Sequence, residues 1–421
     1  MALRCMNRFL SPLSAIEMSR QLSSELRKGQ ERQHRSIRGS LPFLPAIDLR
    51  MMNLDLAVCD TMCENLDTCS YYLVARPPSL EASLFKVTEQ HRSALKATID
   101  DVSQLLPPNF HLPSRHALTR YITSYFNGFH SHMPFIHVPT WNVNEQPNEL
   151  IFGVAAIGAQ YCFEKKVSEH LFYAGKAVLM ARLKKNAGCL GAMTRSSLAM
   201  SQLTTTSDPF TECEKDVPLI GIIKALILLM GFATWEVKTS LVQESFALHG
   251  VLTHVLRDTG TTEDKVSFVP TATMDSQDAG LTLDRDWRAW VWSESNRRAK
   301  LIAFSFLHTH SVAYDVYPTI RTNEIHLQLP CSTKEWTATN ATLWQSARTE
   351  FHKPQLFFQA ALSLLLKTRD DSSPLDPIPT PLGNYVLLHG LLQRIHIVRD
   401  LSLPVMSKTA ALPVEEVKKL E

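Results

Sequence analysis

VPLIGIIKALILLMGFATW, residues 217–235, decides between two folds. It approaches the length that spans a bilayer. A helix that is apolar all round is either a membrane span or the centre of a packed protein. Lys224 falls near its middle, where a charge is expensive in lipid, and the next segment, LVQESFALHGVLTHVL, has ordinary amphipathic spacing. It is the one segment of its kind in the chain. Residues 217–235 therefore read as a buried core helix, and no membrane is expected among the partners.

Other helices surround it. Ser114 follows Pro113 and is a good N-cap for RHALTRYITSYFNGFH, in which Leu118, Tyr121, Ile122, Tyr125, Phe126 and Phe129 recur at spacings of three and four. The prolines of SHMPFIHVPTW forbid a continuing helix. Asn148 is then expected to cap ELIFGVAAIGAQYCF, and Ser168 to cap a helix ending at Gly188. After a polar loop at 194–216, Asp216 is expected to cap the apolar helix, with Pro218 in its first turn. A further helix at 240–258 stops at Gly260. A loop at 260–282 leads to Asp284 or Asp286 as the start of the next, in which Trp287, Trp290, Val291, Glu294, Arg298, Leu301 and Phe304 trace helical repeats. Glu294 and Arg298, four apart, can pair. Three more helical stretches lie near 340–351, 354–368 and 384–402.

One stretch breaks the pattern: YPTIRTNEIHLQLPCSTKEW, residues 317–336. Pro318 ends a helix, Pro330 blocks the next, and Ser332 to Glu335 spell a capping box. Between them TIRTNEIHLQL is expected to run extended as a strap, laying Ile320, Ile325, Leu327 and Leu329 on the helices while Glu324 meets a basic side chain such as Arg297 or Arg298. No run alternates long enough to require a sheet. The fold class is all-α, a multi-helix bundle with long irregular connections and an extended strap near 317–332. Its expected parts are a partly disordered basic N-terminal segment and linker at 1–112, a helical domain at 113–405, and a tail at 406–421.

Composition bounds function. Forty-three Lys and Arg against forty-one Asp and Glu give a formal charge of +2, so nucleic acid would need a local patch. Residues 1–50 hold nine basic and four acidic side chains, a solvated linker or an import or phosphate-contacting patch. Cys5, Cys59, Cys63, Cys69, Cys162, Cys189, Cys213 and Cys331 are scattered and follow no secretory leader, so they read as reduced thiols, and the sequon at Asn340 as idle. The gaps in CDTMCENLDTC do not fit the usual zinc hairpins. His130, His132 and His137, and the pair His308 and His310, are the histidine clusters. Imidazoles two apart share a metal only on an irregular backbone, and carboxylates at matching spacing are lacking nearby. The G-x-S-x-G, Walker, H-E-x-x-H and G-x-G-x-x-G patterns are absent from the sequence. No residue is assigned a catalytic, cofactor-binding or metal-binding role, and no cofactor is expected.

Trp287-x-x-Trp290 with Glu294, Arg297 and Arg298, then YPTIRTNEIHLQLPC and Trp336, resembles the fungal-specific transcription factor regulatory domain. So do YFNGFHSHMPFIHVPTW, with its aromatic helix, His-x-x-x-Pro turn and hydrophobic plug, and the closing LLHGLLQRIHIVRDLS. The resemblance covers about residues 115–402 in order. It implies an all-α regulatory region of a nuclear transcription regulator of RNA polymerase II genes, pathway-specific in scope and not an enzyme. Trp290, Glu294, Arg298, Pro318, Glu324, Pro330 and Trp336 would hold the fold. Such regions usually follow a zinc DNA-binding module, but neither a six-cysteine cluster nor a paired-histidine finger stands in this sequence. The finger was lost, or it lies upstream, or a partner supplies DNA binding. The implied partners are the transcription machinery or a DNA-binding partner protein, DNA only weakly or indirectly, and a small-molecule effector. The alternative is an all-α small-molecule or metal-binding protein or enzyme using His130, His132 and His137.

Overall fold

Apolar positions recurring every three and four residues give helices, and helices are what form. The computed structural model describes residues 84–199, 219–236, 238–263, 279–350, 353–367 and 375–402. Expectations for residues 1–83, for the loop after 199 including Asp216 and Pro218, and for the tail lie outside those residues. Eleven α-helices occur among the described residues, and pairing outside them is confined to two isolated β-bridges. Backbone contacts divide the chain into one unit of residues 1–259 with 312–316 and a second of residues 260–311 with 317–421.

The first unit holds α1 (Glu89–Asp100), α2 (Arg115–Gly128), α3 (Asn148–Tyr161), α4 (Lys165–Ala199), α5 (Leu219–Thr234) and α6 (Thr239–Thr259). α5 is the apolar segment. From Ile220 to Thr234 every residue except Lys224 is buried, because α3, α4 and α6 pack around it. Burial pushes the Lys224 ammonium down to about 8. No helix among the described residues is long and apolar enough to cross a membrane. α3 is nearly as enclosed, and its Gly158 meets α2 so closely that a Cβ there would lie 1.8 Å from the Tyr121 carbonyl oxygen.

Ser114 caps α2 as expected, its hydroxyl accepting from Ala117 N–H. Two other expected caps do not form. Pro147 occupies the N-cap of α3, and Asn148 instead donates through Nδ2 to Thr98 Oγ1 at 2.7 Å. α4 begins at Lys165, so Ser168 lies inside its first turn, and it continues past Gly188 to Ala199. One glycine did not outweigh the helix formers on both sides. α6 stops at Gly260, whose φ of 76° suits a helix end.

The second unit is built on α7 (Ala279–Tyr314), with α8 (Thr333–Thr337), α9 (Ala341–Glu350), α10 (Phe358–Leu366) and α11 (Pro381–Ser402). α7 starts earlier than expected, leaving Asp284 and Asp286 inside the helix, where Asp284 pairs with Arg288 one turn on. It ends at Tyr314, before Pro318, with Asp315 in the left-handed region at φ 53°. Trp287, Val291, Ala338, Ala341 and Trp344 form one buried cluster, against which Trp290 also packs. Trp290 and Trp344 have ring centroids 5.4 Å apart.

Candidate functional site beneath the strap

The strap lies in the second unit and is held along its length. Ile320, Ile325, Leu327 and Leu329 are all buried, so the extended run lays its apolar side chains inward. Its backbone is bonded from three directions. His326 N–H donates to Thr261 O at 2.8 Å and Glu263 N–H to His326 O at 3.3 Å. On the other side Leu329 N–H donates to Leu356 O and Phe358 N–H to Leu327 O, at 2.8 and 2.9 Å. From α11, Gln393 Oε1 accepts from Thr322 N–H at 2.7 Å and Nε2 donates to Ile320 O at 2.9 Å. Gln359 of α10 donates to the carbonyls of Ile325 and Thr322. A segment buried without strand neighbours needs every such partner, since an unpaired buried amide costs about 1–3 kcal/mol.

The strap is not extended throughout. Residues Thr322–Glu324 form a 3-10 turn. Glu324 Oε1 accepts from Arg321 N–H and closes that turn, while the two arginines offered as its partners pair with Glu263 and Glu294. The arginines have nearer carboxylates.

Glu294 is wholly buried and Arg298 nearly so. Arg298 Nε donates to Glu294 Oε1 at 2.8 Å, and Cys331 N–H donates to the same oxygen at 2.9 Å. Arg297 donates to Oε2 through Nη1, and its Nε donates to Glu263 Oε1 at 2.8 Å. Glu263 Oε2 accepts from Gln328 N–H at 3.0 Å. Arg298 also donates to Cys331 O at 3.3 Å, and its guanidinium carbon lies 4.1 Å from the centre of the Trp336 ring. Two acids and two arginines thus join α7 to both ends of the segment from Gln328 to Trp336. Ser332 and Glu335 complete the expected capping box beside it.

The electrostatics are those of a staple. Desolvation alone would raise the Glu294 carboxyl, but the guanidinium groups of Arg297 and Arg298 and the Cys331 amide outweigh it and hold it below the usual carboxylate range. Burial pushes the Cys331 thiol well up, which makes it a poor nucleophile. Both oxygens of Glu294 are engaged, so this constellation is suited to fixing geometry rather than to proton transfer.

The histidine clusters are dispersed. His130 and His132 sit on a 3-10 turn in the first unit. His130 Nε2 is 2.8 Å from Ile136 O, while His137 Nδ1 lies 2.9 Å from Thr140 Oγ1. Among the described residues no three His, Cys, Asp or Glu side chains are disposed around a metal position. His308 and His310 lie on helical α7, where two residues turn the side chains about 200° apart. His308 instead faces His389 of α11, one Nδ1 donating to the other at 3.0 Å. Burial pushes these imidazoles down to about 4 and about 3. Of the cysteines, Cys331 is buried and Cys162 half-buried; Cys5, Cys59, Cys63, Cys69 and Cys213 lie outside the described residues.

Glu263, Gln359, Gln393 and His389 were not singled out by the sequence. Gln393 carried a readable signal, being a polar residue in helical register with Val386, which is buried seven residues earlier. Glu263 carried none, since nothing local distinguishes it from its loop.

Residues 122–407 match the family described as the fungal specific transcription factor domain. The chain is similar to two zinc finger proteins of Schizosaccharomyces pombe. It is 22% identical to klf1 over 302 residues, 71% of this chain and 34% of that protein. To zas1 it is 21% identical over 292 residues, 68% of this chain and 28% of that protein. The chain therefore spans about a third of the length of these relatives. No solved structure matches.

Proposed function

The chain belongs to the fungal specific transcription factor domain family, and from that membership we propose that it is a pathway-specific regulator of RNA polymerase II transcription in a fungal nucleus. It acts without catalysis, through the helical region at 113–405 together with α1, with the basic segment before α1 as a linker and 406–421 as a tail. The observation that carries this reading is the family match, which takes in α7, the strap and α11, together with the ion network that pins the strap. A regulatory domain needs parts that keep a fixed relation while a signal is read, and the Glu294 staple supplies that.

The relatives are named zinc finger proteins. Sequence-specific contact with DNA is assigned to a DNA-binding partner protein or to a finger joined to this region, and the transcription machinery is the other partner. A small-molecule effector is the input that best suits the first unit. That unit has an open surface cleft of about 560 Å³, lined among others by Thr98, Val102, Glu145, Val178 and the ion-paired Arg182 and Glu149.

A tagged full-length chain should accumulate in nuclei, and its deletion should change transcript levels of a restricted gene set. Persistent exclusion from nuclei, or unchanged transcripts, would overturn the proposal. The purified chain alone should bind no defined DNA site with nanomolar affinity; such binding would refute the delegation of DNA contact.

A further inference from the structure

The start of α2 and the start of α4 frame a small hollow of about 200 Å³ in the first unit. Phe110, Leu112, Ala117, Val167 and Leu171 give it apolar walls. Small-molecule sites span about 300–1,000 Å³. This hollow has room for a single large side chain, the way one chain segment anchors on another.

Its surroundings are basic. No Asp or Glu occurs in residues 102–144, which take in all of α2 and the loop before it. The two acids around the start of α4 are engaged: Glu164 pairs with Arg120 and accepts from the Tyr121 hydroxyl, and Glu169 pairs with Lys238. Arg115 follows the lining Ser114, and Lys165 and Lys166 precede the lining Val167. All three are exposed, and none forms an ion pair among the described residues.

One stretch of the chain has the opposite character. Between Arg50 and Arg76 there is neither Lys nor Arg, while Asp55, Asp60, Glu64 and Asp67 are interleaved with leucines at 54, 56 and 66 and followed by Tyr71 and Tyr72. Acids mixed with large apolar residues suit a contact in which an apolar anchor sits inside a frame of opposite charge. The chain also brings this stretch close. Residues 76–83 join it to Leu84, beyond which Phe85 stacks on Phe126 of α2 with ring centroids 4.5 Å apart, and Val87 N–H donates to Thr119 Oγ1 at 3.0 Å. That link reaches at most about 29 Å, more than the roughly 21 Å length of α2, so the hollow beside the first turns of α2 is within range.

We propose that residues 51–75 dock on their own chain at this hollow, a leucine or tyrosine filling it while the acids face Arg115, Lys165 and Lys166. The commitment to this occupant rests on opposite charge, on the size of the hollow and on the short link, which keeps the segment at a high effective concentration. The docking does not depend on the family reading, and its failure would leave that reading untouched.

Zero-length carbodiimide coupling of the full-length chain should join Lys165 or Lys166 to Asp55, Asp60, Glu64 or Asp67, read by mass spectrometry of the digest. In a mixture of isotopically light and heavy protein, both joined peptides should come from one copy. The yield should fall about fivefold or more in about 1 M salt, which screens charges beyond roughly 3 Å. Ala117→Trp fills the hollow and should lower the yield at least about tenfold while circular dichroism stays helical. Should that variant misfold, Lys165→Glu with Lys166→Glu provides the second reading, since both side chains are exposed. Chymotrypsin, which cuts after leucine and tyrosine, should then cleave residues 51–75 about tenfold faster than in wild type, because cleavage tracks the undocked population. No such link in wild type, a link unmoved by salt or by the folded Ala117→Trp chain, or equal cleavage rates would overturn the proposal. Links found only between two copies would do the same, assigning the hollow to a second chain.

Discussion

Glu294→Gln isolates the contribution of the staple, because it keeps side-chain volume and removes only charge and one acceptor. In the native chain the carboxylate receives Arg297 Nη1, Arg298 Nε and Cys331 N–H. The amide would set an N–H₂ against one of these donors and leave the Arg298 guanidinium buried without a counter-ion. Hydrogen bonds to charged groups contribute about 1.5–3 kcal/mol each, and two are lost or weakened. Arg297 keeps Glu263 and Arg298 keeps the Trp336 ring, worth about 0.5–2 kcal/mol. The net cost is about 3–4 kcal/mol, in line with the roughly 3–5 kcal/mol for breaking a buried pair from one side. At about 2–4 °C per kcal/mol for a unit of this size, the thermal transition should fall by about 10 °C. Calorimetry on the full-length chain measures it. The double variant Glu294→Leu with Arg298→Met should recover part of the loss, since a dry apolar pair costs no desolvation but leaves the Cys331 N–H without its acceptor.

The acid dependence follows with a definite sign. A carboxyl held below its ordinary 4.5 adds stability that is full above that pH and disappears as pH falls through the lowered value. The gap between wild type and Glu294→Gln should therefore be full above pH 4.5 and narrow progressively as the pH is taken below it. A drop under about 3 °C at neutral pH, or no recovery in the double variant, would refute the reasoning.

Gly158→Ala would place a Cβ 1.8 Å from the Tyr121 carbonyl oxygen, so α2 and α3 must separate; urea unfolding should report a loss of about 3 kcal/mol, at the upper end for overpacking. Ser332→Ala removes the acceptor for Glu335 N–H and should cost about 1 kcal/mol by the same measurement. The His308 and His389 imidazoles are pushed down from 6.5, chiefly by burial, so the unfolded chain binds their protons first and stability should fall as pH drops from 6.5 toward 4; His389→Leu should flatten that acid limb in pH-dependent melts, and an unchanged limb would show that these imidazoles do not govern it.

Helix content was written locally. Spacings of three and four, Ser114 at a cap, Gly260 at an end and the Ser332–Glu335 box each report on their own turn, and each recurs in the structure. Local signals misled where several sites competed. Asn148, Ser168, Asp284 and Asp286 are all competent caps, yet α3 starts on Pro147, and α4 and α7 run through theirs, because flanking packing sets helix length. Lys224 on an otherwise apolar helix was enough to choose a protein interior over a lipid one.

The partners of the strap were another matter. Prolines at 318 and 330 made an extended segment readable, and its apolar residues told which side faces inward. Which carboxylate meets Arg297, which glutamines close the strap's amides, and that His308 faces His389 depend on residues 34 to 81 positions apart. Periodicity fixes a side chain's direction on its own helix, whereas a buried ion pair forms only where two distant backbones converge. The sequence alone determined an all-helical body around an apolar helix; the tertiary structure decided its charge pairing, since desolvated charges take the nearest partner in space rather than along the chain.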